Sequence, residues 1–176
     1  MEITKIMQET IQVIKAQLPK PGTQLGCYTF LGPEDLWTGT VASQRPFVVV
    51  AEDNWGDGGG LLIIVMADGS VHVAELTGDE VAEPDYRNAL DLKQDSLIDC
   101  CAADFIKFME IMKLYLAALE TISHPEFAFD DEDYEEKCAK LEKTLRQQAA
   151  KIDPTAIEDT ESLWSTLMEE LGAGML

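Results

Sequence analysis

Histidine, basic side chains and long apolar runs are all scarce in this 176-residue chain: two histidines, and 13 Lys and Arg against 33 Asp and Glu. A nucleophile usually needs a histidine to take its proton. His72 falls inside a predicted strand, alternating with Val71 and Val73, and is expected to face solvent. His124 falls in the connector Ser123-His124-Pro125. Neither is expected to be catalytic, so no enzyme is expected. The net charge of −20 disfavours direct binding to nucleic acid or an anionic membrane, because phosphate contact needs lysine and arginine. No apolar run reaches the roughly 18–20 residues of a membrane span, and the longest, Leu61 to Ala67, falls well short. The opening MEITKIMQETIQVIKAQLPK lacks the basic start and unbroken apolar centre of a signal peptide, so a soluble, cytoplasmic protein is expected.

Only four cysteines occur, Cys27, Cys100, Cys101 and Cys138. With no export signal they are expected to be free thiols. Their spacing is not that of a structural zinc site. Adjacent Cys100 and Cys101 point to opposite sides of any regular element, and Cys138 reads as core. The stretch Asp53–Gly58 spaces its oxygen donors like a calcium loop but lacks the downstream glutamate. Gly58-Gly59-Gly60 precedes a strand, not a helix, and no lysine follows as in a phosphate loop. No metal and no cofactor are expected.

Hydrophobic residues nevertheless make up 46% of the chain, enough for a true core. Ile3, Ile6, Met7, Thr10, Ile14 and Leu18 predict an amphipathic helix over 3–18, ended by Pro19, Pro21 and Gly22. Strands are predicted at Cys27–Leu31, Pro46–Ala51, Leu61–Met66 and Val71–Leu76, the last two joined by the turn Ala67-Asp68-Gly69-Ser70. Asn54–Gly60 is predicted to be a loop, since four glycines in seven residues hold regular structure poorly. A helix over about 99–121 is expected to bury Cys101, Phe105, Phe108, Met109, Met112, Leu116 and Leu119, with a stripe wide enough to pack on a sheet. The acidic run Asp130–Glu136 reads as the solvated start of a helix through Tyr134, Cys138, Leu141 and Leu145. Asp153-Pro154 has the form of an N-cap with proline behind it. A last helix carries Leu163, Trp164, Leu167, Met168 and Leu171. The expected fold is α+β: a twisted, mostly antiparallel sheet with an N-terminal helix and C-terminal helices packed around it. One domain over 1–176 is expected, with 126–176 as a helical extension.

A strongly acidic surface attracts and orients a basic partner. Exposed acids beside an aromatic anchor are the natural contacts. Glu52, Asp53, Trp55 and Asp57 supply that combination in one predicted loop, where Trp55 reads equally as an anchor or as a cover for one end of the sheet. Buried strand, Gly56-Asp57 turn, buried strand, the Asp68-Gly69-Ser70-Val71 turn and an outgoing strand together resemble the centre of the SUKH (SMI1/KNR4-like) superfamily. The segment Asp104-Phe105-Ile106-Lys107-Phe108 and the tail Trp164, Leu167, Glu169-Glu170-Leu171 and Gly174 are similar to further parts of it, and the resemblance covers roughly residues 24–120. It implies a bacterial immunity protein that neutralises a polymorphic toxin domain, often a nuclease or deaminase, without catalytic residues. The alternative is a regulatory or scaffolding adaptor of the same superfamily.

Overall fold

The computed structural model describes residues 5–54, 59–78, 80, 85–127 and 132–175. One helix, a run of strands and then three helices give the expected α+β class. The chain divides into two compact units, Met1–Cys100 and Cys101–Leu176; the sequence reading starts a helical extension at 126.

In the first unit α1 (Lys5–Gln17) buries Met7 and Ile14, with Thr10 and Ile11 partly covered between them. Ile6, expected on that stripe, is 63% exposed. The helix stops before Pro19 and Pro21. Gly22 follows in the left-handed region (φ 81°), where its N–H donates to the Phe30 carbonyl at 2.9 Å.

The strands are β1 (Gln24–Leu25), β2 (Tyr28–Phe30), β3 (Trp37–Val41), β4 (Arg45–Asn54), β5 (Gly60–Met66), β6 (Val71–Leu76), β7 (Asp91–Leu92) and β8 (Leu97–Ala102). They run β1-β2-β4-β5-β6-β8 across one sheet. Along one edge of β4, β3 pairs with the first half and β2 with Ala51 and Glu52. The β3–β7 pair is parallel; β1–β2, β2–β4, β3–β4, β4–β5 and β5–β6 are antiparallel. Phe47, Val49, Leu62, Ile64, Met66, Ala74 and Leu76 line one face and join Val41, Leu90 and Leu92 in a single cluster. The neighbours that alternate with them, Val48, Ile63, Val65, Val71 and Val73, are buried on the other. An apolar run with no polar alternation is what a strand covered on both faces requires.

Four strands, β1, β3, β7 and β8, differ from expectation. Strand β3 was not anticipated, because glycine and two threonines weaken the apolar signal of Trp37–Val41. Gly39 is there for space: a side-chain carbon on it would lie 2.5 Å from Cζ of Phe47 and 2.9 Å from the Leu90 carbonyl oxygen. The predicted helix start at 99 is also wrong. Residues 97–102 form β8, and the helix begins at Phe105 behind Asp104, whose side chain accepts from the Lys107 N–H at 2.9 Å. Cys101 is therefore strand core. The spacing of 101, 105 and 108 is that of a helix and carries the expected start too far back, and the N-cap at Asp104 marks the true one.

The predicted hairpin is present. Asp68 Oδ1 accepts from the Ser70 N–H at 2.9 Å and the Ser70 hydroxyl at 2.6 Å, while Gly69 takes φ 90° and donates to the Met66 carbonyl at 2.9 Å. The β3–β4 turn is less economical. Ala42 (φ 51°) and Ser43 (φ 55°) are both left-handed despite having a Cβ, at about 1 kcal/mol or more each. Asp91 offsets this strain: Oδ1 accepts from Thr40 Oγ1 at 2.8 Å and the Ser43 N–H at 2.7 Å, and Oδ2 accepts from the Ser43 hydroxyl. These bonds, the Ser43 hydroxyl first, hold the Asp91 carboxyl below the usual carboxylate range. A depressed folded value means that the stabilisation is present at neutral pH and is lost as pH falls through that value. Ala42→Gly is expected to raise stability by about 0.5 kcal/mol. Asp91→Ala should lower it by about 1 kcal/mol, since the site is exposed. Thermal denaturation reads both, and equal signs would refute the account of this turn.

In the second unit α2 (Phe105–Ile122) buries Phe105, Phe108, Met109, Ile111, Met112, Tyr115, Ala118 and Ile122, with Leu116 and Leu119 only partly covered. Within the unit its partners include α3 (Tyr134–Ile152) and Trp164 of α4 (Leu163–Gly172). The stripe width points to a sheet as the partner and does not mark these two helices. Arg146 joins α3 to α4, with Nε donating to Glu142 at 2.7 Å and Nη2 to the Ser165 carbonyl at 3.0 Å. Asp153 caps the 3-10 turn Pro154–Ile157 as expected, its Oδ1 accepting from the Thr155 N–H at 3.0 Å. Its Oδ2 also accepts from the Ala103 N–H at 2.6 Å. That second bond explains how a carboxylate tolerates 2% exposure. None of the four cysteines forms a disulfide; Cys101 and Cys138 are buried and Cys27 is exposed.

Candidate functional site

The proposed contact residues meet the structure at the end of β4. A β-bulge there shifts the register between Val49 and Ala51, with Val49 opposite Ile64 and Ala51 opposite Ile63. Val50 is the extra residue, and its carbonyl accepts from the Leu31 N–H at 2.9 Å. In a regular strand, residues 49 and 52 would face opposite ways. The bulge reverses the alternation and returns Glu52, opposite Leu62, to the face that carries Val49 and Trp37.

Glu52 is thus a strand residue, not part of a loop, and its side chain is only 15% exposed. Oε1 accepts from Trp37 Nε1 at 2.7 Å and Oε2 from Arg87 Nη2 at 2.9 Å. The Arg87 guanidinium lies 5.6 Å from the Trp37 ring centroid and 5.9 Å from that of Tyr86. The two rings meet edge to face at 6.0 Å. A hydrogen bond to the Tyr86 oxygen and the Glu52 charge raise the Arg87 pKa against burial. Both carboxylate oxygens are engaged, and the aromatic–arginine stack is fixed in place. Tyr, Trp and Arg are the residue types that most often dominate protein interfaces.

Asp53 takes the opposite face. It sits across from Leu61, which sits across from Glu75, so two half-buried carboxylates flank a half-buried leucine. The expected grouping of Glu52 with Asp53 is therefore split between two faces, which follows from the strand period of two. Trp55 and Asp57, with the Gly56-Asp57 step, lie outside the described residues. Trp37, Tyr86 and Arg87 were missed by the sequence reading. Trp37 stood in an unrecognised strand, and nothing local marks Tyr86-Arg87 as its neighbour.

The histidines are placed more simply. His72 is half-buried, with Nε2 3.0 Å from Ser70 Oγ. Burial is the main cause pushing its pKa below the ordinary value, and the Ser70 hydroxyl does the same for Asp68. Ser70 has one hydroxyl proton, and ionised Asp68 at 2.6 Å takes it, so Ser70 offers His72 a lone pair. That is the reverse of a serine activated by a histidine base, and the trio serves as a turn clasp. His124 is exposed at the end of α2. Among the acids of the predicted run, Asp133 precedes α3 and holds Lys137 at 3.0 Å, and Glu135 and Glu136 occupy its first turn. Asp130 and Asp131 lie outside the described residues. Among the described residues no three His, Cys, Asp or Glu side chains converge as a metal site, and no helix is long and apolar enough to cross a membrane.

No family model, no curated protein and no solved structure matches this chain.

Proposed function

We propose that this protein is a non-catalytic inhibitor: an immunity protein of the bacterial cytoplasm that binds and silences a basic toxin domain of the nuclease or deaminase kind. The observation that carries this reading is the charge. If every lysine and arginine paired with a carboxylate, twenty carboxylates would remain. Such a surface draws a cationic protein and repels nucleic acid, which is what an inhibitor needs to occupy a phosphate-binding groove. The resemblance of the β4–β6 region to the SUKH superfamily supports the same class. Asp53, with Trp55 and Asp57 beyond it, is the proposed contact segment, and Glu52 contributes by holding Trp37 and Arg87 in position.

Coexpression with a basic toxin domain encoded beside its gene is expected to restore growth, and the purified pair should bind in calorimetry. Unrelieved toxicity with no heat of binding would defeat the proposal. Binding without relief of toxicity would favour the adaptor.

A further inference from the structure

At the C-terminal end of α2, in the second unit, lies an open cleft of about 650 Å³, within the size range that holds small ligands or side chains. Its lining includes Ala117, Phe127 and Thr121, whose hydroxyl donates to the Ala117 carbonyl at 3.0 Å. Its acids are Glu120 and Glu126, the latter 92% exposed. The last turn of α2 has no basic residue, so the negative end of the helix dipole adds to those charges. One cation enters the cleft from the chain itself. Lys137 Nζ lies 5.9 Å from the Phe127 ring centroid, steered there by Asp133 at 3.0 Å, and Tyr134 holds the ring edge to face at 5.6 Å. An aromatic face, two carboxylates and a helix C-terminus are a receptor for an organic cation, and Lys137 shows the kind of group that fits.

We propose that this cleft receives a lysine or arginine side chain of the basic partner, which displaces the Lys137 ammonium from the Phe127 ring. This deepens the inhibitor reading and rests on it for the identity of the partner. The cleft belongs to the second unit and the β4 contact segment to the first. The Asp133 contact keeps Lys137 near when it leaves the ring, so its charge is not stranded.

A capped tri-arginine peptide titrated into the full chain is expected to shift the amide resonances of Thr121, His124, Phe127 and Lys137. Phe127→Ala, and separately the pair Glu120→Gln with Glu126→Gln, should each weaken binding about three- to tenfold. Lys137→Gln should tighten it, because the internal competitor is gone. Lys140→Gln, one turn on, removes the same charge without vacating the ring and serves as the control. Shifts spread evenly over the acidic surface, or equal effects of Lys137→Gln and Lys140→Gln, would overturn the proposal. If a basic toxin binds and the cleft variants leave its affinity unchanged, the cleft proposal fails and the inhibitor reading stands. If no basic toxin binds but the peptide still seats as described, the inhibitor reading fails and the cleft stands.

Discussion

Trp164→Ala is expected to cost about 3–5 kcal/mol, the range for emptying a fully buried indole site. Trp164 is 0% exposed in the second unit. Its ring centroid lies 5.0 Å from that of Phe108 and 6.4 Å from that of Tyr115, so it binds α4 to α2 through aromatic contact. Its Nε1–H donates to the Cys101 carbonyl at 3.1 Å, which ties the helix to the end of β8. Trp164→Phe keeps most of the ring contact and loses that bond, so about 1–2 kcal/mol is the expected loss. Urea denaturation followed by far-ultraviolet circular dichroism measures both, since this unit is mainly helical. An alanine variant within about 1 kcal/mol of the parent would show that the site collapses around the gap.

Trp164 also illustrates what the sequence could carry. Its place on an apolar helix face was legible from Leu163, Leu167, Met168 and Leu171. Its partners were not, because Cys101 and Phe108 lie more than fifty residues away and nothing local encodes such a pairing. The hairpin over 60–76 was legible because an Asp-Gly turn between two apolar runs has one economical solution. Residues 97–102 were not, because Leu97-Ile98-Asp99-Cys100-Cys101-Ala102 carries no clean period, and the spacing from Cys101 to Phe105 and Phe108 is that of a helix. Glu52 is the most instructive residue. Counted along a regular strand it faces away from Val49, and only the extra residue at Val50 brings it round to Trp37 and Arg87. A bulge changes the parity of every residue beyond it, and it leaves little mark on sequence.

Association with a basic toxin is expected to slow by about ten- to a thousandfold between low and high salt, while the dissociation rate changes little. The reason lies in how the charge is spread. Residues 1–100 carry 16 acids and 6 bases, and residues 101–176 carry 17 and 7, so each unit has an excess of ten negative charges. No single cluster dominates that field. Asp53→Asn with Asp57→Asn removes two of twenty, and a modest fall in on-rate is expected. Screening removes the field entirely, because the Debye length shrinks from about 30 Å at 0.01 M to about 3 Å at 1 M. The same screening relieves repulsion among the protein's own carboxylates, so its melting temperature should rise with salt as association slows. Stopped-flow association and thermal denaturation across one salt series give the two opposed trends. A flat association rate would mean that contact, not charge, selects the partner. A melting temperature that falls with salt would mean that ion pairs such as Arg146–Glu142 outweigh the repulsion.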